Sequence, residues 1–166
     1  MKKIGGLIVL VAALWGGTGS AGAEEGGYTP VPKSPDTHPS YIRQLFTKQG
    51  HTYITADYIQ WFEGEEADQA FRVDEPDAGL DYAPSGYYIR NVNPKLRTLE
   101  VAANVQVWMQ TYDRSGKWTD DLHWNTRQPL SVFRTLLGED PLAKEYPYHL
   151  TVKNGKVVRI VQQYIP

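Results

Sequence analysis

No cysteine occurs anywhere in the 166 residues, which removes disulfide frameworks, thiolate metal sites and cysteine nucleophiles together. The fold must therefore be held by its core and its hydrogen bonds. Also missing are a G-x-S-x-G elbow, an H-E-x-x-H motif and a glycine-rich phosphate loop, the common signatures of serine hydrolases, zinc peptidases and nucleotide-binding enzymes. There is no excess of basic residues either, with 17 Lys+Arg against 19 Asp+Glu, so nucleic acid is not an expected partner. After the first two dozen residues no hydrophobic run approaches the length of a membrane span, and none is expected.

The apolar run that does exist stands at the start. Lys2 and Lys3 precede an apolar stretch from Ile4 to Trp15, and Ala21-Gly22-Ala23 has the small-x-small pattern of a signal-peptidase site. The expectation is a signal peptide over residues 1–23, a mature chain from Glu24, and a secreted protein, extracellular or cell-wall associated. Without a cysteine at the cleavage site there is no place for a lipoprotein anchor. Taking away Lys2 and Lys3 leaves 17 − 2 = 15 basic residues against 19 acidic, a formal charge of −4. That charge is unevenly spread: Glu63 to Asp81 holds eight acidic residues and one arginine, whereas Tyr82 to Pro166 holds eleven basic and seven acidic. A lopsided surface orients a charged partner, although its common meaning is a solvated helix and loop.

Residues 24–39 (EEGGYTPVPKSPDTHP) are rich in proline and poor in apolar side chains, which predicts a disordered linker ahead of one globular domain over 40–166. A monomer is expected. Within the domain, Tyr41 to Phe46 reads as a strand, Lys48-Gln49-Gly50 as a turn, and Thr52 to Phe62 as a long return strand. Both faces of that return strand are apolar, so it must bend or be covered on both sides. It leads through Gly64 into a short helix carrying Ala67, Ala70 and Phe71. YYIRNVNPKLRTLEV then reads as strand, turn, strand, and Val105 to Tyr112 as a further strand. Leu130, Phe133, Leu136 and Leu137 fit a second helix with Pro129 in its first turn and Gly138 just past its end. Last comes a hairpin around Asn154-Gly155, a dipeptide whose residues both tolerate positive φ. The predicted class is α+β: a strongly bent antiparallel sheet or partly open β-barrel of about seven strands with two short helices.

Three blocks, ITADYIQWFEGEEA, GYYIRNVNPKLRTLEV and the closing VVRIVQQYIP, resemble an uncharacterised family of small exported bacterial proteins. The resemblance covers most of residues 41–166 and is specific in the first two blocks. It implies a shared fold and export, and carries over no catalytic residue.

Asp57 and Arg97 each interrupt an apolar strand pattern, which predicts a structural polar pair. The carboxylates Asp74, Glu75, Asp77 and Asp81 lack the spacing of an EF-hand loop and read as a solvated acidic loop. Trp118 and Trp124 flank Asp120, Asp121, His123 and Asn125 in a segment with neither helical nor strand period. Flat rings beside carboxylate and amide groups suit a glycan or peptide, with Trp118 and Trp124 stacking and Asp120, Asp121 and Asn125 orienting. The plainer reading of the same residues is a loop pinned to the core by its tryptophans. The preferred function is an exported noncatalytic binding module for a cell-envelope glycan, peptide or protein. The alternative is a hydrolase of envelope polymer using paired carboxylates such as Asp57 with Asp120 or Asp121. No catalytic residue, metal ligand or cofactor is assigned.

Overall fold

The computed structural model describes residues 27–113 and 122–165. In chain order these form β1 (Thr37–Lys48), β2 (His51–Tyr58), β3 (Gln60–Glu63), α1 (Gly64–Asp74), β4 (Tyr87–Arg90) and β5 (Leu96–Asp113). There follow β6 (Leu122–Gln128), α2 (Leu130–Glu139), α3 (Pro141–Glu145), β7 (Pro147–Lys153) and β8 (Lys156–Gln162). Five strands close into a barrel in the order β1-β2-β5-β8-β7, with β7 returning to β1, and β6 extends the sheet beside β5. Every ladder is antiparallel except β5 with β8. A barrel of this order, with its third and fifth strands parallel and helices between the third and fourth, has the connectivity of an OB-fold.

Alternation along the strands explains the closure. Ile54 and Ala56 of β2, Val107 and Met109 of β5, and Leu150 of β7 point inward and are buried with Ile42, Val157 and Ile160. Each large apolar side chain removed from water contributes roughly 1.5–3 kcal/mol. Helix α2 carries Phe133 and Leu137 one turn apart into the same core, where Phe133 meets Tyr148 edge to face at 5.3 Å. Asp140 caps α3 by accepting from Leu142 N at 2.9 Å, and the Tyr148 hydroxyl donates to the Ala143 carbonyl at 2.8 Å. The two turn hairpins anticipated from sequence are present, with Gln49, Gly50, Asn154 and Gly155 all at positive φ.

Several elements differ from expectation. The long return strand breaks at Ile59, whose N–H donates to the Pro39 carbonyl, so that β2 stays in the barrel and β3 leaves it. Strand β3 pairs with β4 in a separate two-stranded sheet, while β5 pairs with β2; the strands on either side of Asn91 and Asn93 are thus not partners. Leu96 to Asp113 is one strand, not two. A long bulge against β8 between Val101 and Gln106 lets its first half pair with β2 and its second with β6. Residues 122–128 form a strand where no period was legible, because an added outer strand is held by backbone bonds to β5 and needs little side-chain pattern. Pro129 is the N-cap of α2 and Gly138 lies inside it, and α3 is a third helix not anticipated. No described helix is long and apolar enough to cross a membrane.

Candidate functional site

The break at Ile59 sets up the site. Strand β3 carries Trp61, Phe62 and Glu63 off the barrel, and Gly64, at φ 55°, turns the chain into α1. A left-handed position between a strand and a helix favours glycine, which has no Cβ to clash there. Trp61 stacks on Tyr87 of β4 at 4.8 Å and Phe71 of α1 meets Tyr88 edge to face at 5.8 Å, so the small sheet and helix hold each other. Between this unit and the outer wall of the barrel lies a cleft of about 580 Å³, lined by residues that include Thr37, Pro39, Ile59, Trp61, Phe62 and His149.

The third wall is the proline-rich stretch. Composition marks it as a disordered linker to residue 39, but from Gly27 it lies along the barrel, and β1 already begins at Thr37. Gln110 and Asn125 donate to the carbonyls of Thr29 and Gly27 at 2.8 and 3.1 Å, and the Asp36 carbonyl accepts from Val152 N at 2.8 Å. Prolines carry no N–H and sit readily in extended conformations, so the part ahead of β1 docks with few bonds and outside the ladder that residues 37–39 join.

Where the walls meet, five side chains form one bonded cluster. Glu63 Oε1 accepts from the Tyr28 hydroxyl, from Trp61 Nε1 at 2.9 Å and from Gln163 Nε2 at 3.2 Å. Gln163, 1 % exposed, also reaches the Tyr28 oxygen and the Tyr164 carbonyl, both at 2.8 Å. Because Nε2 faces a carboxylate and a carbonyl, it must be the NH₂ of the amide, and the Gln163 oxygen then faces His149 Nε2 at 2.7 Å. His149 consequently carries its proton on Nε2. It is 6 % exposed, and burial lowers its pKa below the usual histidine value against the opposing pull of Gln163 and Glu63. Burial and the neighbouring Glu63 raise the Tyr28 pKa, so its hydroxyl stays a donor.

Of the residues singled out from sequence, Trp118, Asp120 and Asp121 lie outside the described residues. Trp124 and Asn125 are half-buried on β6. Trp124 meets Tyr164 edge to face at 5.1 Å, and Asn125, at φ 50°, donates to Gly27 and Thr29. The Asn125 bonds fasten the amino-terminal arm to the barrel, while Trp124 packs on the segment after β8. Asp57, 5 % exposed, does not pair with Arg97; its partners are Arg43 at 2.6 Å and Asn91 at 3.1 Å. Arg43 is the extra residue of a bulge in β1 between Ile42 and Gln44, which turns it toward Asp57. Arg97 instead lies over the Tyr58 ring at 4.2 Å, and Tyr58 stacks on His38 at 4.6 Å. Asp74, read from sequence as part of an acidic loop, is the last residue of α1 and takes a two-pronged bond from Arg90 at 2.6 and 2.9 Å, which holds its carboxyl below the usual range.

The cluster residues Tyr28, Glu63, His149 and Gln163 were not singled out from sequence. A signal was there for two of them: His149 and Gln163 are polar residues inside apolar strand patterns, the same interruption that marks Asp57. Nothing in the sequence brings Tyr28 and Gln163 together across 135 positions. Among the described residues no group of three or more His, Asp or Glu side chains is arranged to hold a metal ion. Comparisons of the chain with protein-family models, with curated proteins and with solved structures found no match.

Proposed function

We propose that the chain is an exported, noncatalytic binding module and that a segment of cell-envelope polymer seats in the cleft between the barrel, β3 and the amino-terminal arm. The observation that carries this reading is the wall chemistry: aromatic Trp61 and Phe62 beside a bonded cluster of Glu63, Gln163 and His149 in a concavity of about 580 Å³. Aromatic walls with a few oriented polar groups are what small-ligand and polymer-binding sites share. We place the binding surface in the cleft in preference to the 118–125 segment, of which Asn125 is engaged with the chain's own arm and Trp124 with Tyr164. Hydrolysis through Asp57 is disfavoured, because that carboxylate is buried against Arg43 and Asn91. Export rests on the Lys-apolar-AGA start, and intact-mass analysis of secreted material is expected to begin at Glu24.

The test is co-sedimentation with labelled peptidoglycan, reading pelleted protein and soluble fragments separately. Pelleting without fragment release is expected. Gln60 lies exposed at the cleft, and Gln60→Trp fills its mouth without touching the barrel core. Undiminished retention of a folded Gln60→Trp variant removes the cleft as the binding surface, and release of fragments overturns the noncatalytic reading.

A further inference from the structure

At the bonded cluster, the polar atoms left facing the cleft without a partner are acceptors, whereas the donors of Gln60 and Ser34 stand apart from it in the lining. Glu63 takes its three bonds on Oε1, and Oε2 makes none among the described residues. His149 gives its Nε2 proton to Gln163, which leaves Nδ1 as a lone-pair acceptor with no bond among the described residues. Both side chains line the cleft, and one amide, that of Gln163, fixes the orientation of both. Glu65 and Glu66, in the first turn of α1, add negative charge to the same wall. The cation already present there is Lys33, whose ammonium is bonded to Glu66 at the rim. A wall of oriented acceptors with net negative charge and aromatic neighbours matches a cationic donor, and is mismatched to an anion or to a ligand that brings only carbonyl oxygens.

Resting on the binding reading above, we infer that the cleft recognises a protonated primary amine at the end of a peptide side chain, which donates to Glu63 Oε2 and His149 Nδ1 beside Trp61. Lys33 is the internal precedent, a peptide-borne primary amine already seated against the acidic rim. The three donors on Oε1 hold the carboxylate before any ligand arrives, so little ordering is left for binding.

The test uses isotope-labelled mature protein and follows the Trp61 indole N–H resonance, which reports on Glu63 directly. Three probes are titrated: N-terminally acetylated glycyl-lysyl-glycine amide, the same peptide acetylated also on its lysine nitrogen, and a glucosamine tetramer. Saturable movement of the Trp61 resonance with the lysyl peptide is expected, with lysine acetylation weakening binding roughly tenfold or more through loss of a charged hydrogen bond. Glu63→Gln is expected to lose affinity to a similar extent, because a donor NH₂ then faces the ligand's ammonium. The acetylation comparison needs no variant and stands even if Glu63→Gln fails to fold. Equal binding of the lysine-acetylated peptide overturns the amine inference and leaves the cleft as a binding site. Preference for the glucosamine tetramer over the lysyl peptide overturns the peptide assignment. No movement with any probe overturns the inference, while retention of Gln60→Trp on the envelope decides separately whether the cleft binds at all.

Discussion

Replacing Gln163 with leucine removes the amide that links His149 to Glu63 while keeping a side chain of similar size. Three consequences can be worked out. The His149 Nε2 proton loses its acceptor inside a side chain only 6 % exposed, and a buried donor left unpaired costs about 1–3 kcal/mol. Glu63 loses its longest bond, at 3.2 Å, but keeps Tyr28 and Trp61, so this contributes at the low end of the range for a charged acceptor. The Tyr164 carbonyl and the Tyr28 oxygen each also lose a donor, but both residues are half-buried and solvent can replace it. The expected loss is about 2–4 kcal/mol, measured by urea unfolding as a lower midpoint with an unchanged slope. The double variant Gln163→Leu with His149→Phe removes both partners and is expected to recover much of that loss, because neither orphan is then left in the core. A single-variant loss under about 0.5 kcal/mol, or a double variant whose cost is the simple sum, refutes the cluster as an energetic unit.

Three further outcomes follow from the same geometry. Burial depresses the pKa of His149, and of His38 with help from Arg97, so the unfolded chain takes up protons first. Stability is therefore full above about pH 6.5 and falls as pH drops below that value, and His149→Phe is expected to flatten this limb of the urea-midpoint curve. The separate loss from Asp74 and Glu100, whose pKa values are lowered by Arg90 and by Lys156 with His51, begins only at the lower pH of carboxylate titration. Gly155→Val places a β-branched residue at φ 75° with no neighbour within 4 Å of the added carbon, so its cost is purely conformational. It is expected to exceed roughly 1 kcal/mol, and an unchanged Tm contradicts the turn. A double-mutant cycle of Asp57 with Arg43 is expected to show coupling of about 1 kcal/mol or more, while the Asp57 and Arg97 changes add; the reverse result contradicts the ion-pair assignment.

The local features were legible in the chain because their causes are local. Asn154-Gly155 and Gln49-Gly50 announce hairpins through positive φ, the spacing of Ala67 and Ala70 announces α1, and Phe133 with Leu137 announces α2. The apolar content of both faces of residues 52–62 pointed to a strand that bends, and the barrel accommodates it by breaking it at Ile59. Asp57 was legible as a buried charge, but its partner was not. That choice depends on a one-residue bulge that turns Arg43 toward it, and a bulge leaves no mark in composition or period. The pairing of β5 with β2 on one side and with β8 and then β6 on the other is likewise a matter of long-range register. The cleft lies furthest from what sequence can say. Its cluster joins Tyr28, Glu63, His149 and Gln163 from the arm, β3, β7 and the end of the chain, and these meet only because barrel closure brings β7, β8 and the arm to one wall. Turn chemistry and side-chain period act over a few residues, whereas the convergence of those four side chains is set by strand order.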